Sequence, residues 1–429
     1  MSENQNQPVD VLVIGAGLAG LSAARKVKQE GISFAVVEAS NRGGGKVQTE
    51  FSADGKRFFE QGAQYVNRDM TEMISLIQEA GMELKQTNLD KDSIVINEKN
   101  AKAIDLGSTR GAALLNQYTV DSDKPLSSAL DEVVKDKWEK KMISSYIAAE
   151  TTVNTDQINA AAANRMISRV TTQENELKYQ ASGPLNNVIH FLEDELSDQI
   201  YYCEPVVSIE TVDGMYKATT EHGNQYHARS VILAIPPTVA RRIALPDEVK
   251  VHFEEALSSY IDGAVIKMTL VYDDDFWRHK KVRGKERKIF GVIYAGNEGV
   301  NLMDASQPEG ENRLTLFIGG DKARELVHVT AEVRENYALD RLSEVFGDDA
   351  ENFQDIEESI WVNSRYSGGG YGAMIHPEGD SKANQQLSQP FRRIVFAGTE
   401  LAPRFPHFME GAVRSGQQSA ERLLKELSR

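Results

Sequence analysis

Apolar runs broken by glycines and polar segments divide the chain into strands and amphipathic helices. Residues 9–14 read VDVLVI, a short run of the kind buried on both faces in a parallel sheet. Gly15-Ala16-Gly17-Leu18-Ala19-Gly20 follows at once, then LSAARKVKQEG, whose apolar residues recur at helical spacing as far as Gly31. A second strand over 33–37 ends at Glu38. Strand, glycine turn, helix, strand and acid make one complete βαβ unit. Further strands are predicted at 230–235 (SVILAI, stopped by Pro236-Pro237), 265–272 (VIKMTLVY) and 393–397 (RIVFA), with a last helix over 409–427. Residues 125–180 are helical by composition, whereas 273–290 and 296–313, rich in charge and in Gly and Asn, predict exposed loops or hairpin tips. No repeat or low-complexity linker appears. The expected class is α/β, with a nucleotide-binding module assembled from the start, middle and end of the chain.

Length and charge narrow this picture. The 429 residues suggest two or three structural units, and 41% apolar with 26% charged residues is the balance of a folded globular chain. Acidic side chains outnumber basic ones 64 to 48, for a net charge of −16, which repels phosphate backbones and argues against nucleic acid as a partner. The single cysteine, Cys203, excludes an internal disulfide and a cysteine-built metal site; a buried core thiol in a reducing cytoplasm is expected. No run approaches the ~18 apolar residues that cross a bilayer, and MSENQNQP lacks the basic start and apolar run of a secretory signal. A cytoplasmic protein off the membrane is the expectation. His190, His376 and His407 have no spacing suited to a metal, so none is assigned.

The glycine turn carries a mechanical reason for each position. Gly15 permits the tight turn, Gly17 lets backbone approach a pyrophosphate, and Gly20 lets helix and strand pack closely. The segment, with Ala16, Leu18 and Ala19, opens a helix whose N–H groups face the anion. Glu38, with Ala39 beside it, is placed to accept hydrogen bonds from ribose hydroxyls. Arg42-Gly43-Gly44-Gly45-Lys46 then puts two cations and three side-chain-free residues beside a dinucleotide, with Arg42 offsetting phosphate charge.

From this segment onward the chain resembles the flavin-containing amine oxidases, the family that includes the monoamine oxidases. Residues 42–47 match its R-x-G-G-R-x motif, with Lys46 in place of the final Arg. Similar blocks follow in the family's order: Gln61-Gly62-Ala63-Gln64-Tyr65, Ala234-Ile235-Pro236-Pro237-Thr238 and Ala264-Val265-Ile266-Lys267. Then come Trp361, Tyr366-Ser367-Gly368-Gly369-Gly370-Tyr371, Ala397-Gly398-Thr399-Glu400 and Met409-Glu410-Gly411-Ala412-Val413. The resemblance implies the amine oxidase fold, a glutathione-reductase-like, Rossmann-like FAD domain from 1–75, 182–259 and 367–429. A mixed-sheet and helical substrate domain would come from 76–181 and 260–366. It implies FAD held by Gly15, Gly17, Gly20, Glu38 and Arg42 at the ADP half, and by Gly44, Gly45, Lys46, Gln61, Gly62 and Ala63 toward the ring. Val206 matches the backbone contact to adenine, while Gly398, Glu400, Met409, Glu410 and Ala412 would close over the ribityl chain and pyrimidine end. Trp361 would pack on the flavin region or equally belong to the domain core, and Tyr366 would lie near the cofactor.

The same resemblance gives roles to three residues. Lys267, interrupting an apolar strand, matches the family lysine that reaches flavin N5 through a water and promotes reaction with oxygen. Alternation alone would let it face solvent. Tyr371 and Phe408 match the aromatic pair flanking the substrate amine, with Phe408 in place of a tyrosine. Gly370 stands where monoamine oxidases carry the cysteine bonded to flavin, so noncovalent FAD is implied, and the hydrophobic tail of membrane-bound relatives is missing. The implied reaction is oxidative deamination of an amine, giving an imine, then an aldehyde or ketone, ammonia and hydrogen peroxide. The alternatives are an L-amino-acid oxidase, a desaturase-like oxidoreductase on the same fold, or a non-catalytic flavin-binding regulator. Amine and oxygen are the expected partners; a dimer stays open, since no coiled-coil pattern bears on it.

Overall fold

The computed structural model describes residues 7–87, 93–96, 102–104, 118, 120–170, 177–282, 284–306 and 310–428. The βαβ unit forms as the pattern predicts, with β1 at Val9–Ile14, α1 at Leu18–Gln29 and β2 at Phe34–Val37. β2 lies parallel to β1, with Val11 opposite Phe34. On its other side β1 runs parallel to strand Gln225–Leu233. That long strand divides its partners. Its second half takes Ile394–Phe396 as a parallel neighbour, and its first half pairs antiparallel with Met215–Thr220. The first seven-stranded sheet therefore joins segments from the start, middle and end of the chain.

The C-terminal helix, Met409–Leu427, lies against α1 over the same sheet. Close approach is possible because residue 416 is glycine: a Cβ there would sit 2.0 Å from the Ala19 carbonyl oxygen. Val413, Ala420 and Leu423 join Ala23, Ala24 and Val27 in one apolar core.

A second seven-stranded sheet is ordered Phe353–Ile360, Val265–Tyr272, Asn312–Gly319, Val300–Asp304, Ile289–Ile293, Ser93–Ile96, Lys102–Ile104. All eight residues of Val265–Tyr272 are buried, so Lys267 sits inside the sheet's covering layers, opposite Phe317 and Ser359. Helices Leu126–Val133, Lys137–Thr151 and Ala160–Ser168 form the helical part of 125–180, which ends instead in strand Tyr179–Ala181.

Two expectations are corrected. The segments 273–290 and 296–313 do include the hairpin Lys280–Val282/Lys285–Arg287, but Ile289–Ile293 and Val300–Asp304 are well-buried strands of the second sheet. Their short apolar runs, IFGVI and VNLMD, are masked in sequence by charged flanks. Cys203 is exposed, not a core thiol. It occupies a left-handed turn, φ +58°, after Ile200–Tyr201, and its amide donates to the Ser40 carbonyl at 2.9 Å. Among the described residues no helix is long and apolar enough to cross a membrane.

Candidate active site

The two glycine loops touch each other at the ends of β1 and β2. Gly15 has φ +104°, and a Cβ there would lie 2.6 Å from the Ala234 carbonyl oxygen; one on Gly20 would lie 1.8 Å from the Gly15 oxygen. Both positions need glycine for α1 to start directly on the sheet. No side chain caps α1, so its first-turn N–H groups are offered outward. The Gly44 amide donates to the Ala16 carbonyl at 2.8 Å, and Gly45 faces Gly17 with no side chain between them.

Glu38 is buried at the end of β2, with Ala39 half-buried beside it. Its Oε2 accepts from the Ala16 amide at 2.7 Å and its Oε1 from the Ser40 amide and hydroxyl at 2.8 Å. The Glu38 carbonyl accepts from the Glu204 amide, which draws the segment before Val206 alongside. Arg42 spends its guanidinium on its own loop. It donates to the carbonyls of Gly43 and Gly45 at 2.9 Å, of Val47 at 3.2 Å, and to Gln48 Oε1 at 2.6 Å. The cation expected to face phosphate therefore also ties the glycine loop into shape.

Lys267 belongs to a second cluster. Its Nζ donates to the Glu60 carbonyl, to Gln64 Oε1 at 2.9 Å and to the Gly62 carbonyl at 3.3 Å. Burial lowers its ammonium to about 8, against the opposing pull of the Glu60 carboxylate. Glu60 in turn accepts from the Leu185 amide at 2.8 Å and Thr49 Oγ1 at 2.9 Å, yet burial raises its carboxyl to about 7. Gly62 is wedged between Lys46 and Trp361: a Cβ would lie 2.0 Å from the Lys46 oxygen and 3.2 Å from the indole. Trp361 Nε1 donates to the Gln61 carbonyl at 3.0 Å, Gln61 Nε2 to Glu357 at 2.7 Å, and the Ala63 amide to the Lys46 carbonyl at 3.1 Å. Lys46 Nζ reaches the Tyr371 carbonyl at 3.1 Å. A continuous chain of contacts thus runs from Lys267 to Tyr371.

Glu60 makes a stability test. The native state keeps its proton up to about pH 7, while the unfolded chain releases it near 4.5. Its contribution is full below 4.5 and is lost as pH rises through 7. Denaturant unfolding of Glu60→Gln across this range is expected to remove about 3 kcal/mol of that pH-dependent loss.

Tyr371 is half-buried, and its phenol pKa is pushed up by desolvation and then by Glu150 and Tyr65. Gly370 fits tightly, since a Cβ would lie 2.0 Å from Thr152 Oγ1 and 2.8 Å from the Gly263 Cα. Phe408 is the N-cap residue of the C-terminal helix, which has no side-chain cap; its carbonyl accepts from Thr399 Oγ1 at 2.9 Å. Met409 is buried behind it and Ala412 packs on the first core. Glu400 accepts from the Ala373 amide at 3.0 Å, and the Gly398 amide donates to Ser415 at 3.1 Å.

Two expected contact residues have other partners. Glu410, fully buried, accepts from the amides of Met73 at 2.7 Å and Glu72 at 3.3 Å and from Arg414 at 2.6 Å, pinning helix Thr71–Glu79. Tyr366 is half-buried beneath the Arg365 guanidinium, 5.1 Å away. Sequence reasoning gave no role to Glu60, Gln64, Tyr65 or Glu150. Tyr65, in the block Gln61-Gly62-Ala63-Gln64-Tyr65, has a buried hydroxyl without a hydrogen-bond partner among the described residues.

Two uncapped helix starts, facing glycines and an orphaned phenol fit a dinucleotide that carries a flat polar ring. The relatives agree with that chemistry. Amine oxidase [flavin-containing] B of Sus scrofa is 26% identical over 462 aligned positions, covering 98% of this chain and 87% of that protein. Cyclohexylamine oxidase from Brevibacterium oxydans IH-35A superposes with a TM-score of 0.86 at 22% identity, covering 99% and 100%. Wild-type putrescine oxidase bound to putrescine superposes with a TM-score of 0.84 at 23% identity, again covering 99% and 100%. The description "flavin containing amine oxidoreductase" matches residues 18–105 and 123–424, most of the chain. The chain belongs to the flavin-containing amine oxidoreductase family and is an FAD-dependent amine oxidase.

Proposed function

We propose that the protein is a cytoplasmic oxidase of simple amines that uses oxygen as its electron acceptor. Residues 1–75, 182–259 and 367–429 would bind FAD, and 76–181 and 260–366 would shape the substrate side. The chemistry supplied by bound FAD is two-electron oxidation of the amine to an imine, with hydrogen peroxide formed from oxygen and hydrolysis giving a carbonyl product. Tyr371 and Phe408 position the neutral amine between ring faces and confine its Cα–H bond. Lys267, held by three oxygen acceptors, keeps a cation in place for the oxygen step. The glycine loops and the two helix starts hold the cofactor's phosphates and ring edge.

The observation that carries this reading is the contact chain from Lys267 through Gly62 and Lys46 to Tyr371, which links the proposed cation to the proposed aromatic group. Glu150 acts on the Tyr371 phenol, so a negative charge lies near the proposed aromatic wall and would favour a cationic amine. The neighbours named for cyclohexylamine and putrescine point to small mono- and diamines as first candidates.

A peroxide-coupled screen of monoamines, diamines and L-amino acids on the yellow holoenzyme tests this. Peroxide release with amines and not with amino acids is expected, and the reverse order would overturn it. Acid denaturation should release free FAD into the supernatant, because Gly370 offers no sulfur for a bond. Flavin that stays with the precipitated polypeptide would contradict noncovalent binding.

A further inference from the structure

His407 lies at the centre of the site, yet no role above uses it. It immediately precedes Phe408, and its backbone is left-handed at φ +68°, a conformation that a non-glycine residue adopts only at a cost. Its ring packs over Gly372, the neighbour of Tyr371; a Cβ on residue 372 would lie 2.6 Å from the imidazole Cδ2 and 2.7 Å from Nε2. Glycine at 372 is what makes room for the ring. Nδ1 is buried and has no hydrogen-bond partner among the described residues.

The surroundings fix the form of this imidazole. Burial first, then the charges of Lys46 and Arg169, push its pKa down to about 3, with a hydrogen bond to the Ala373 backbone opposing them. It is neutral throughout the physiological range. The Ala373 amide is taken by Glu400, so the Ala373 backbone offers the ring only its carbonyl, and a neutral imidazole that turns its N–H toward that carbonyl presents the other nitrogen as an acceptor. Neither neighbouring cation serves that acceptor. Lys46 donates to the Tyr371 carbonyl, and Arg169 to the carbonyls of Arg165, Glu400 and Ala402. Backbone strain and a buried unpaired acceptor at one residue both call for a donor supplied from outside the chain.

We propose that His407 Nδ1 accepts a hydrogen bond from a donor group of bound FAD, and that this contact holds the left-handed turn before Phe408. It thereby sets where the Phe408 ring stands against the substrate. The inference rests on flavin binding, which the wild-type holoenzyme establishes by its own colour and stoichiometry.

Two substitutions separate acceptor from backbone. His407→Gly removes the ring while relieving the left-handed strain. His407→Asn tolerates the same φ and places an amide oxygen near the Nδ1 position. FAD release from diluted holoenzyme, followed by flavin fluorescence, is expected to be about 10-fold faster in His407→Gly, equivalent to about 1.4 kcal/mol. The flavin absorption band should shift in that variant. His407→Asn should return both the release rate, to within about 3-fold, and the band position. Unchanged release and spectrum in His407→Gly would overturn the proposal. So would an Asn variant as leaky as the Gly variant, because ring packing rather than the acceptor would then be responsible.

Discussion

Lys267→Met is expected to slow the reaction of the reduced holoenzyme with oxygen by about 100-fold while changing anaerobic reduction by amine by less than about 5-fold. The asymmetry follows from where the charge acts. Lys267 is buried in strand Val265–Tyr272; its Nζ is held by the Glu60 and Gly62 carbonyls and Gln64, and the acid that acts on it, Glu60, is itself pushed toward its neutral form by burial. A cation fixed by neutral acceptors keeps its field for charge that develops elsewhere, and oxygen acquires negative charge only in the second half-reaction. Methionine preserves length and apolar packing and removes the charge. Stopped-flow mixing of the reduced protein with oxygen is the direct measurement. Equal slowing of both half-reactions would show that the lysine shapes the site instead of serving oxygen.

Gly62→Ala should lower the free energy of unfolding by about 3 kcal/mol and strip most FAD from the purified protein. The added methyl would stand 2.0 Å from the Lys46 carbonyl, a backbone atom that cannot swing aside, and 3.2 Å from Trp361. Relief requires moving the Lys46 segment. That segment accepts the Ala63 amide and carries the ammonium bound to the Tyr371 carbonyl, while the Gly62 carbonyl holds Lys267. One methyl group therefore disturbs both sides of the site. Gly183→Ala is the matched control, since its nearest neighbour would be the flexible Met82 sulfur at 3.4 Å. Flavin content and denaturant unfolding of the two variants measure the difference; equal behaviour would mean the 62–63 turn yields without consequence.

The parts of this architecture legible in sequence are those written in local pattern. The βαβ unit is contiguous, and Gly15 and Gly20 answer backbone demands at the end of the adjacent strand and within the turn itself. The C-terminal helix was bounded correctly because its small and apolar residues recur along one stripe. Lys267 is legible because a charge inside VIKMTLVY is conspicuous. Glu60 and Glu150, in contrast, look like ordinary surface acids, and only the packing of distant segments buries one and sets the other beside Tyr371. His407 is one of several scattered histidines until Gly372, 35 positions earlier, comes to lie under its ring. Cys203 failed as a core thiol because a turn, not the strand its neighbours suggest, sets its exposure.

The crossing of the last helix over the first has a consequence for biosynthesis. Strand β1 can pair with β2 early, but its other neighbour arrives with residue 225, and the helix that locks onto Ala19 is made only after residue 408. A nascent chain on the ribosome therefore carries an incomplete cradle until the residues beyond 408 have been made. Cofactor capture becomes an event that waits for that helix, and until then the unfinished sheet is the surface that chaperones must shield.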